Sequence, residues 1–135
     1  MRLTVAFLPA AVMLLAAGCS DTGLERVVVS GRVTLNGQPV SNGEIRFRPI
    51  KGTHGPVSGS SIVEGAYTAA GLGGVPVGAY RVVIHGYRVV ETAGSSSAEE
   101  GRFEQYLPAK YNQQSELEVT LESGRRKQTL DFLLE

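Results

Sequence analysis

Hydrophobic and polar side chains alternate along several short stretches of this 135-residue chain. The longest alternation covers residues 27–35, where valine or leucine stands at nearly every second position. A period of two is typical of a β-strand with one buried face, and Gly31 inside it leaves room for a close neighbour or a bulge. A second stretch places Tyr80, Val82 and Ile84 on one face and Val83 on the other. Because both of its faces carry apolar groups, a central strand is expected there.

Turn residues separate these stretches. Asn36-Gly37-Gln38-Pro39 is predicted to be a turn and Glu64-Gly65 is a hairpin signal, since glycine accepts a positive φ without strain. No stretch after Ser20 keeps a helical period of apolar residues. Further strands are predicted at residues 44–48, 57–62, 66–69, 117–121 and 130–134. The pattern therefore predicts an all-β domain of about seven short strands that form a β-sandwich.

The beginning of the chain has a different pattern. Met1-Arg2 supplies a positive start, and residues 3–17 form an uncharged, mostly apolar stretch that contains Pro9. At 1.5 Å per residue a helix of this length spans about 22 Å, short of the roughly 30 Å hydrocarbon core of a bilayer. These features predict a cleaved signal helix. A buried N-terminal helix and an ordinary secretory signal with an incidental cysteine are the alternatives.

The stretch Leu14–Ser20 contains the only cysteine of the chain. It resembles the lipobox of bacterial lipoproteins, in which small residues precede a cysteine. The resemblance implies cleavage between Gly18 and Cys19, diacylglycerol on the Cys19 sulfur and a fatty acid such as palmitate on the new α-amino group. Two or more acyl chains give stable anchoring where one chain is marginal. The resulting organisation is a signal peptide at residues 1–18, a lipidated tether at 19–26 and a β-domain at 27–135.

Composition narrows the classes of partner. The chain carries 13 Lys and Arg against 13 Asp and Glu, and one of the basic residues, Arg2, lies in the signal segment. A balanced charge without a basic cluster argues against a nucleic-acid partner. The 17 glycines fit a chain of strands and turns, and the absence of tryptophan weakens a sugar-stacking platform.

Several motifs resemble those of carboxypeptidase regulatory-like domains, also called transthyretin-like or prealbumin-type domains. Val29–Val40 is similar to their V-x-G-x-V-x-x-x-G-x-P opening, and Pro76–Val82 to their P-x-G-x-Y-x-V strand. Further matches are Gly43–Phe47, Gly65–Thr68, Leu107–Tyr111 and Leu130–Leu134. The last two are also similar to segments of small planctomycete-type bacterial lipoproteins. The resemblance implies an antiparallel Greek-key β-sandwich that corresponds to the accessory domain of those peptidases.

Few residues offer catalytic chemistry. The chain has two histidines, and neither is followed by the glutamate of a His-x-x-Glu zinc motif. His54 is expected to be solvated in a loop, and His85 to be an exposed or hydrogen-bonded residue of a strand. The chain also lacks the C-terminal Tyr-Arg-Gly-Ser of the transthyretin-like hydroxyisourate hydrolases. We therefore predict no enzyme, with no catalytic residue, no metal and no cofactor.

The expected protein is an exported, non-catalytic module of the cell envelope, lipid-anchored to a membrane on its periplasmic or outer face. Its role is structural or one of protein interaction, and its expected partners are the membrane and an envelope protein or glycan. The alternative is a lipoprotein that binds a small ligand or carbohydrate through loops at one end of the sandwich, within residues 50–56 and 91–111. The candidate binding residues are His54, Tyr106, Lys110 and Tyr111, with Tyr87 and Phe103 as further candidates for a binding face.

Overall fold

The computed structural model describes residues 23–91 and 101–135, so the predicted signal peptide, Cys19 and the start of the tether lie outside the described part. Strands make up 58% of the described residues. The helical residues there form two short 3-10 turns, Gly71–Gly73 and Ala109–Tyr111. Within the same two ranges, no helix has the length and apolar content needed to cross a bilayer. The prediction of an all-β fold is confirmed.

The described strands are numbered in chain order. They are β1 (Arg26–Leu35), β2 (Gln38–Pro39), β3 (Asn42–Ile50), β4 (Ser58–Val63), β5 (Ala66–Ala69), β6 (Val75–Pro76), β7 (Gly78–Val90), β8 (Arg102–Gln105), β9 (Glu118–Leu121), β10 (Lys127–Thr129) and β11 (Phe132–Leu134). They exceed the predicted number because β2 and β6 are two-residue pairings with β1, and because β10 forms just before the last predicted strand at 130–134, which corresponds to β11. β8 is an addition that the sequence pattern did not predict.

β7 lies inside the sheet, as its two apolar faces predicted. It pairs with β3 over residues 79–86 along one edge, and with β9 and β8 along the other edge. Tyr80, Val82 and Ile84 belong to the hydrophobic core and are fully buried. Val83 on the opposite face is also buried, with 3% of its surface exposed. The prediction of a central strand is therefore confirmed.

The sheet is strongly curled. One hydrogen-bonded path runs β10-β1-β5-β4-β3-β7-β8, and most neighbouring strands are antiparallel. β9 pairs with β7 near one edge of this path, yet only residues 122–126 separate it from β10 at the other edge. The six peptide steps between those strands span at most about 21 Å. The two edges must therefore approach each other, and the sheet forms a half-barrel around one hydrophobic core.

Both predicted turns are present, although the first is shorter than the predicted residues 36–39 because the last two of these residues pair with β1. The φ angles of Asn36 and Gly37 are 50° and 80°, and those of Glu64 and Gly65 are 49° and 76°. A positive φ at both central residues marks the type I′ turn, whose twist matches that of the strands it joins. These turns close the β1–β2 and β4–β5 hairpins.

β10 and β11 run parallel to β1, which corrects the prediction of a wholly antiparallel fold. The reason is that β9 ends beside the start of β7, at the end of the sheet where β1 also begins. The chain crosses over at that end, and the Glu25 carboxylate accepts hydrogen bonds there from the Ser123 hydroxyl at 2.6 Å and the Gly124 N–H at 2.5 Å. These two bonds hold the pKa of Glu25 below its usual value.

The junction between β10 and β11 packs onto the middle of β1. A Cβ atom at Gly31 would lie 1.9 Å from the carbonyl oxygen of Leu130. The Asp131 carboxylate accepts the Arg32 N–H at 2.8 Å, and the Tyr67 hydroxyl donates to the Leu130 carbonyl at 2.5 Å. The expectation that Gly31 admits a close neighbour is thereby confirmed.

Tyr67→Phe should lower stability at neutral pH and weaken the response to alkali. Burial, and secondly the charge of Asp131, raise the pKa of Tyr67 above its ordinary value. A raised folded-state pKa stabilises the protein fully below the unfolded-state value of about 10, and this contribution is lost as the pH rises further. We expect the variant to lose about 1 kcal/mol at pH 7 together with its bond to Leu130.

Urea unfolding over a pH series checks this expectation. From about pH 10 upward, the free energy of unfolding should fall more steeply for the wild-type protein than for Tyr67→Phe. Parallel curves for the two proteins would contradict the buried hydroxyl.

Candidate interaction surface

The exposed large hydrophobic side chains of the described ranges form two groups and one isolated residue. The first group, on the outer face of the sheet, is Val63, Val89 and Phe103. The second group, at the end where the chain enters β1, is Leu24, Val57 and Leu72. The isolated residue is Leu133. Single exposed hydrophobic residues are normal, whereas clusters mark contact surfaces.

Two members of the first group, Val89 and Phe103, lie on a two-stranded ribbon that consists of the end of β7 and β8. β3 pairs with β7 only as far as Gly86, and the ribbon continues beyond that point. Alternation along β7 places Tyr87 and Val89 on the face opposite the core. Phe103 of β8 pairs directly with Val89, so its side chain lies on the same face.

These side chains line an open groove of about 680 Å³, which we call the outer groove. Its lining residues are Asn42, Gly43, Ser61, Ile62, Val63, Tyr87, Val89 and Phe103. The polar side chains in this set are one amide, one aliphatic hydroxyl and one phenol, and none is charged. An apolar centre with a few uncharged polar groups suits the apolar side chains of a partner.

Charged side chains flank the outer groove without lining it. Glu44 and Arg46 form an ion pair on the outer face of β3, and the hydrogen bond that the Arg46 guanidinium donates to the Glu44 carboxylate raises the pKa of Arg46. On the opposite face of the ribbon, Arg88 pairs with Glu104 at 3.2 Å and lies 5.7 Å from the ring centroid of Tyr106. Exposed pairs of this kind contribute little to stability, so their main effect is to give the apolar centre a charged surround.

His85 lies beside the outer groove on the same face of β7. Its ring is parallel to that of Tyr87, and the two centroids are 6.3 Å apart. The side chain is half-buried, and its Nδ1 has no hydrogen-bond partner among the described residues. His85 was expected to be either exposed or hydrogen-bonded, but it is only partly exposed and its Nδ1 lacks a partner among the described residues. Within residues 23–91 and 101–135, no three His, Cys, Asp or Glu side chains come close enough to hold a metal ion.

His54 is exposed, as expected, in the loop between β3 and β4. Its neighbour Thr53 accepts the Ala79 N–H at 2.9 Å, which places the loop at the start of β7. The Tyr106 N–H donates at 3.0 Å to the carbonyl of Gly86, about 23 Å further along that strand. The structure therefore does not bring His54 together with the other predicted binding residues.

Tyr106, Lys110 and Tyr111 belong to one segment between β8 and β9. Tyr111 is buried, and its hydroxyl donates to the Glu135 carbonyl at 2.9 Å and accepts the Glu135 N–H at 2.8 Å. The Lys110 ammonium lies 5.0 Å from the centroid of the Tyr111 ring. Tyr106 is half-buried, and Lys110 is the exposed member of the three. The hydroxyl of Tyr111 thus holds the end of the chain.

Asn112 is a buried polar residue that the sequence pattern did not single out. Its amide nitrogen donates to the carbonyls of Pro108, Leu107 and Ile84 at 3.1, 3.3 and 3.4 Å. The bond to Ile84 satisfies a carbonyl on the edge of β7 between its pairings with β8 and β9, and the other two satisfy carbonyls of the segment that contains Asn112. Asn112 stands in a run of amide residues, and the sequence pattern made no prediction for this point.

The outer groove combines two residues predicted for a binding face, Tyr87 and Phe103, with two that were not, Val63 and Val89. Val89 had a signal in the sequence, because the alternation of β7 continues through it. Val63 had none, because its place beside the ribbon depends on the pairing of β4 with β3. In comparisons with known proteins, no family model, curated protein or solved structure matches this chain.

Proposed function

We propose that this protein is a lipid-anchored, non-catalytic binding module of the cell envelope that holds a partner protein in the outer groove. Cys19 carries the lipid, and residues 27–135 form the module. The lipobox-like stretch Leu14–Ser20 supports the anchor, because it ends an apolar segment with small residues and the only cysteine. The sequence supports the absence of catalysis, since neither histidine belongs to a His-x-x-Glu motif.

We assign the module to the carboxypeptidase regulatory-like, or transthyretin-like, domains with a Greek-key β-sandwich. The motifs in Val29–Val40 and Pro76–Val82 support this assignment. The curled sheet supports it as well, because residues 122–126 link strands on its two approaching edges, as a connection between the facing halves of a sandwich would.

The start of β1, where the tether enters, and the outer groove lie at opposite ends of the module. The tether enters β1 at Arg26, which pairs with Pro76 of β6 shortly before the start of β7. From Gly78 to Val90, β7 extends over at most about 40 Å. The groove on the ribbon therefore lies far from the end at which the tether enters. A protein of the envelope can reach the groove at this far end.

The observation that carries the binding role is the exposure of Val63, Val89 and Phe103 within one groove, at 59, 58 and 67% of their surfaces. An aromatic and aliphatic centre with uncharged polar groups is typical of the core of a protein–protein interface. Recognition of a glycan needs several hydrogen-bonding groups, and the groove supplies mainly those of Asn42, Ser61 and Tyr87. A partner segment with apolar side chains fits this chemistry better.

Phe103→Ser should weaken binding of that partner about thirtyfold or more, because truncation of a central aromatic residue costs about 2 kcal/mol or more. A photo-crosslinking residue at position 103 of the full-length protein in cells first identifies the partner by mass spectrometry. The affinity of the purified partner is then measured for the wild-type protein and for Phe103→Ser.

Leu133→Ser is the matched control for this substitution. It removes an exposed hydrophobic side chain, 77% exposed, that lies outside the outer groove, so this variant should bind as the wild-type protein does. Circular dichroism confirms that both variants fold. Wild-type affinity of Phe103→Ser, or an equal loss in both variants, would refute the groove as the binding site.

A further inference from the structure

Four loops meet at the end of the sheet where the chain enters β1, which we call the tether end. They are residues 23–25, 51–57, 70–74 and 122–126. Hydrogen bonds connect three of them, because the guanidinium of Arg26 at the start of β1 donates to the Gly74 carbonyl at 2.9 Å and the 122–126 loop donates to the Glu25 carboxylate. The tether end is therefore a defined surface.

Three hydrophobic residues project from the tether end. Leu24, Val57 and Leu72 are 45, 55 and 85% exposed. Val57 and Leu72 line one shallow depression of about 250 Å³. A methyl carbon of Leu24 lies 3.3 Å from the position that a Cβ atom would take at Gly55, in the loop that leads to Val57. The three side chains thus lie on neighbouring loops, and we call them the apolar cap.

The backbone holds Leu72 in its exposed position. Its φ and ψ are 54° and 26°, a left-handed conformation that a branched aliphatic residue rarely adopts. The turn is closed by hydrogen bonds from the Gly73 N–H to the Ala70 carbonyl at 3.1 Å and from the Gly74 N–H to the Gly71 carbonyl at 3.0 Å. Strain of this kind persists where the surrounding structure enforces it, and it concentrates at functional sites.

Basic residues stand on two of the loops that form the tether end. Arg125 and Arg126 stand in the 122–126 loop, and Lys51 opens the 51–57 loop. Glu122 pairs with Arg125 at 3.2 Å and Glu118 with Lys51 at 3.0 Å, and both pairs are solvent-exposed. Apolar side chains with basic residues beside them suit the surface of a bilayer that contains anionic lipid.

We propose that the apolar cap seats the module on a lipid bilayer, an inference that rests on the lipid anchor proposed above. Its three side chains enter the boundary between head groups and acyl chains. The chain between Cys19 and Leu24 has five peptide steps and extends at most about 18 Å. An acylated Cys19 lies at the bilayer surface, so the tether keeps the cap within that distance of lipid.

A single introduced tryptophan tests this placement, because the chain itself contains none. The lipidated protein with Leu72→Trp is reconstituted in vesicles of phosphatidylethanolamine and phosphatidylglycerol, with and without brominated acyl chains. We expect its emission to shift to shorter wavelength and to lose intensity with brominated lipid. The matched control, Leu133→Trp, places the probe at an exposed position beside the far end of β1 and should show neither change.

The remaining outcomes separate the cap from the anchor. Sedimentation with the vesicles without quenching at position 72 would overturn the seating of the cap and leave the anchor intact. A shift to shorter wavelength without quenching would show that a protein covers the cap, and would overturn the proposal as well. Equal quenching at positions 72 and 133 would show contact without a preferred face. Failure to sediment would refute the anchor, and the cap with it.

Discussion

Gly31→Ala is expected to lower the free energy of unfolding by about 3 kcal/mol or more. The added methyl group would stand 1.9 Å from the carbonyl oxygen of Leu130, far inside van der Waals contact. A backbone oxygen cannot rotate away as the end of a flexible side chain can, so β1 must separate from the β10–β11 junction. That movement breaks the bond from Tyr67 to the same oxygen and the bond between Arg32 and Asp131.

Urea unfolding followed by circular dichroism measures this effect. Gly71→Ala is the matched control, because no atom lies within 4 Å of the position that its Cβ atom would take. The control should change stability by no more than about 1 kcal/mol, in the stabilising direction, since alanine lowers the entropy of the unfolded chain. Wild-type stability of Gly31→Ala would contradict the close approach of Leu130 to β1.

Cys19→Ser should remove the covalent lipid of the protein completely. In the proposed anchor the thiolate of Cys19 displaces the phosphate head group of a phospholipid, so that the C–O bond to phosphate breaks and the diacylglyceryl group becomes a thioether; a serine hydroxyl is a much poorer nucleophile. Each buried CH₂ group contributes about 0.8 kcal/mol to membrane binding, so loss of all acyl chains removes stable anchoring. We expect the intact mass of the wild-type protein to equal residues 19–135 plus acyl groups, and the variant to carry no acyl group.

Ser20→Ala is the control for this substitution, because it changes the neighbouring residue and leaves the thiol in place. It should keep the acylated mass and the need for detergent during purification. Recovery of processed wild-type protein with an unmodified Cys19 in the absence of detergent would refute the anchor. The outer groove would then remain testable by the binding of Phe103→Ser.

Much of the strand pattern could be predicted from the sequence. The alternation at residues 27–35 and the two apolar faces of β7 predicted a half-buried strand and a central strand, because side chains alternate with a strict period of two. Asn36-Gly37 predicted its hairpin because few residue pairs accept positive φ at both positions. Gly31 predicted a close approach, although the sequence did not show that Leu130 makes it.

The candidate site was only partly predictable. Tyr87 and Phe103 were expected on a binding face, yet they were grouped with Tyr111, whose hydroxyl the structure places on the backbone of Glu135. His54 was expected in a binding loop at the same end as the later loop, yet its neighbour Thr53 and Tyr106 contact β7 at points about 23 Å apart along the strand. Composition identifies residues that can bind, but it carries no information on which loops meet.

The sequence by itself determined the all-β class, the two type I′ hairpins and the central position of β7. These features depend on side-chain periodicity and on local backbone preferences, which act over a few neighbouring residues. The tertiary structure alone decided the parallel pairing of β10 and β11 with β1, and the meeting of Val63, Val89 and Phe103 in the outer groove. These features depend on contacts between distant segments, and such contacts follow from the curl of the whole sheet around one core.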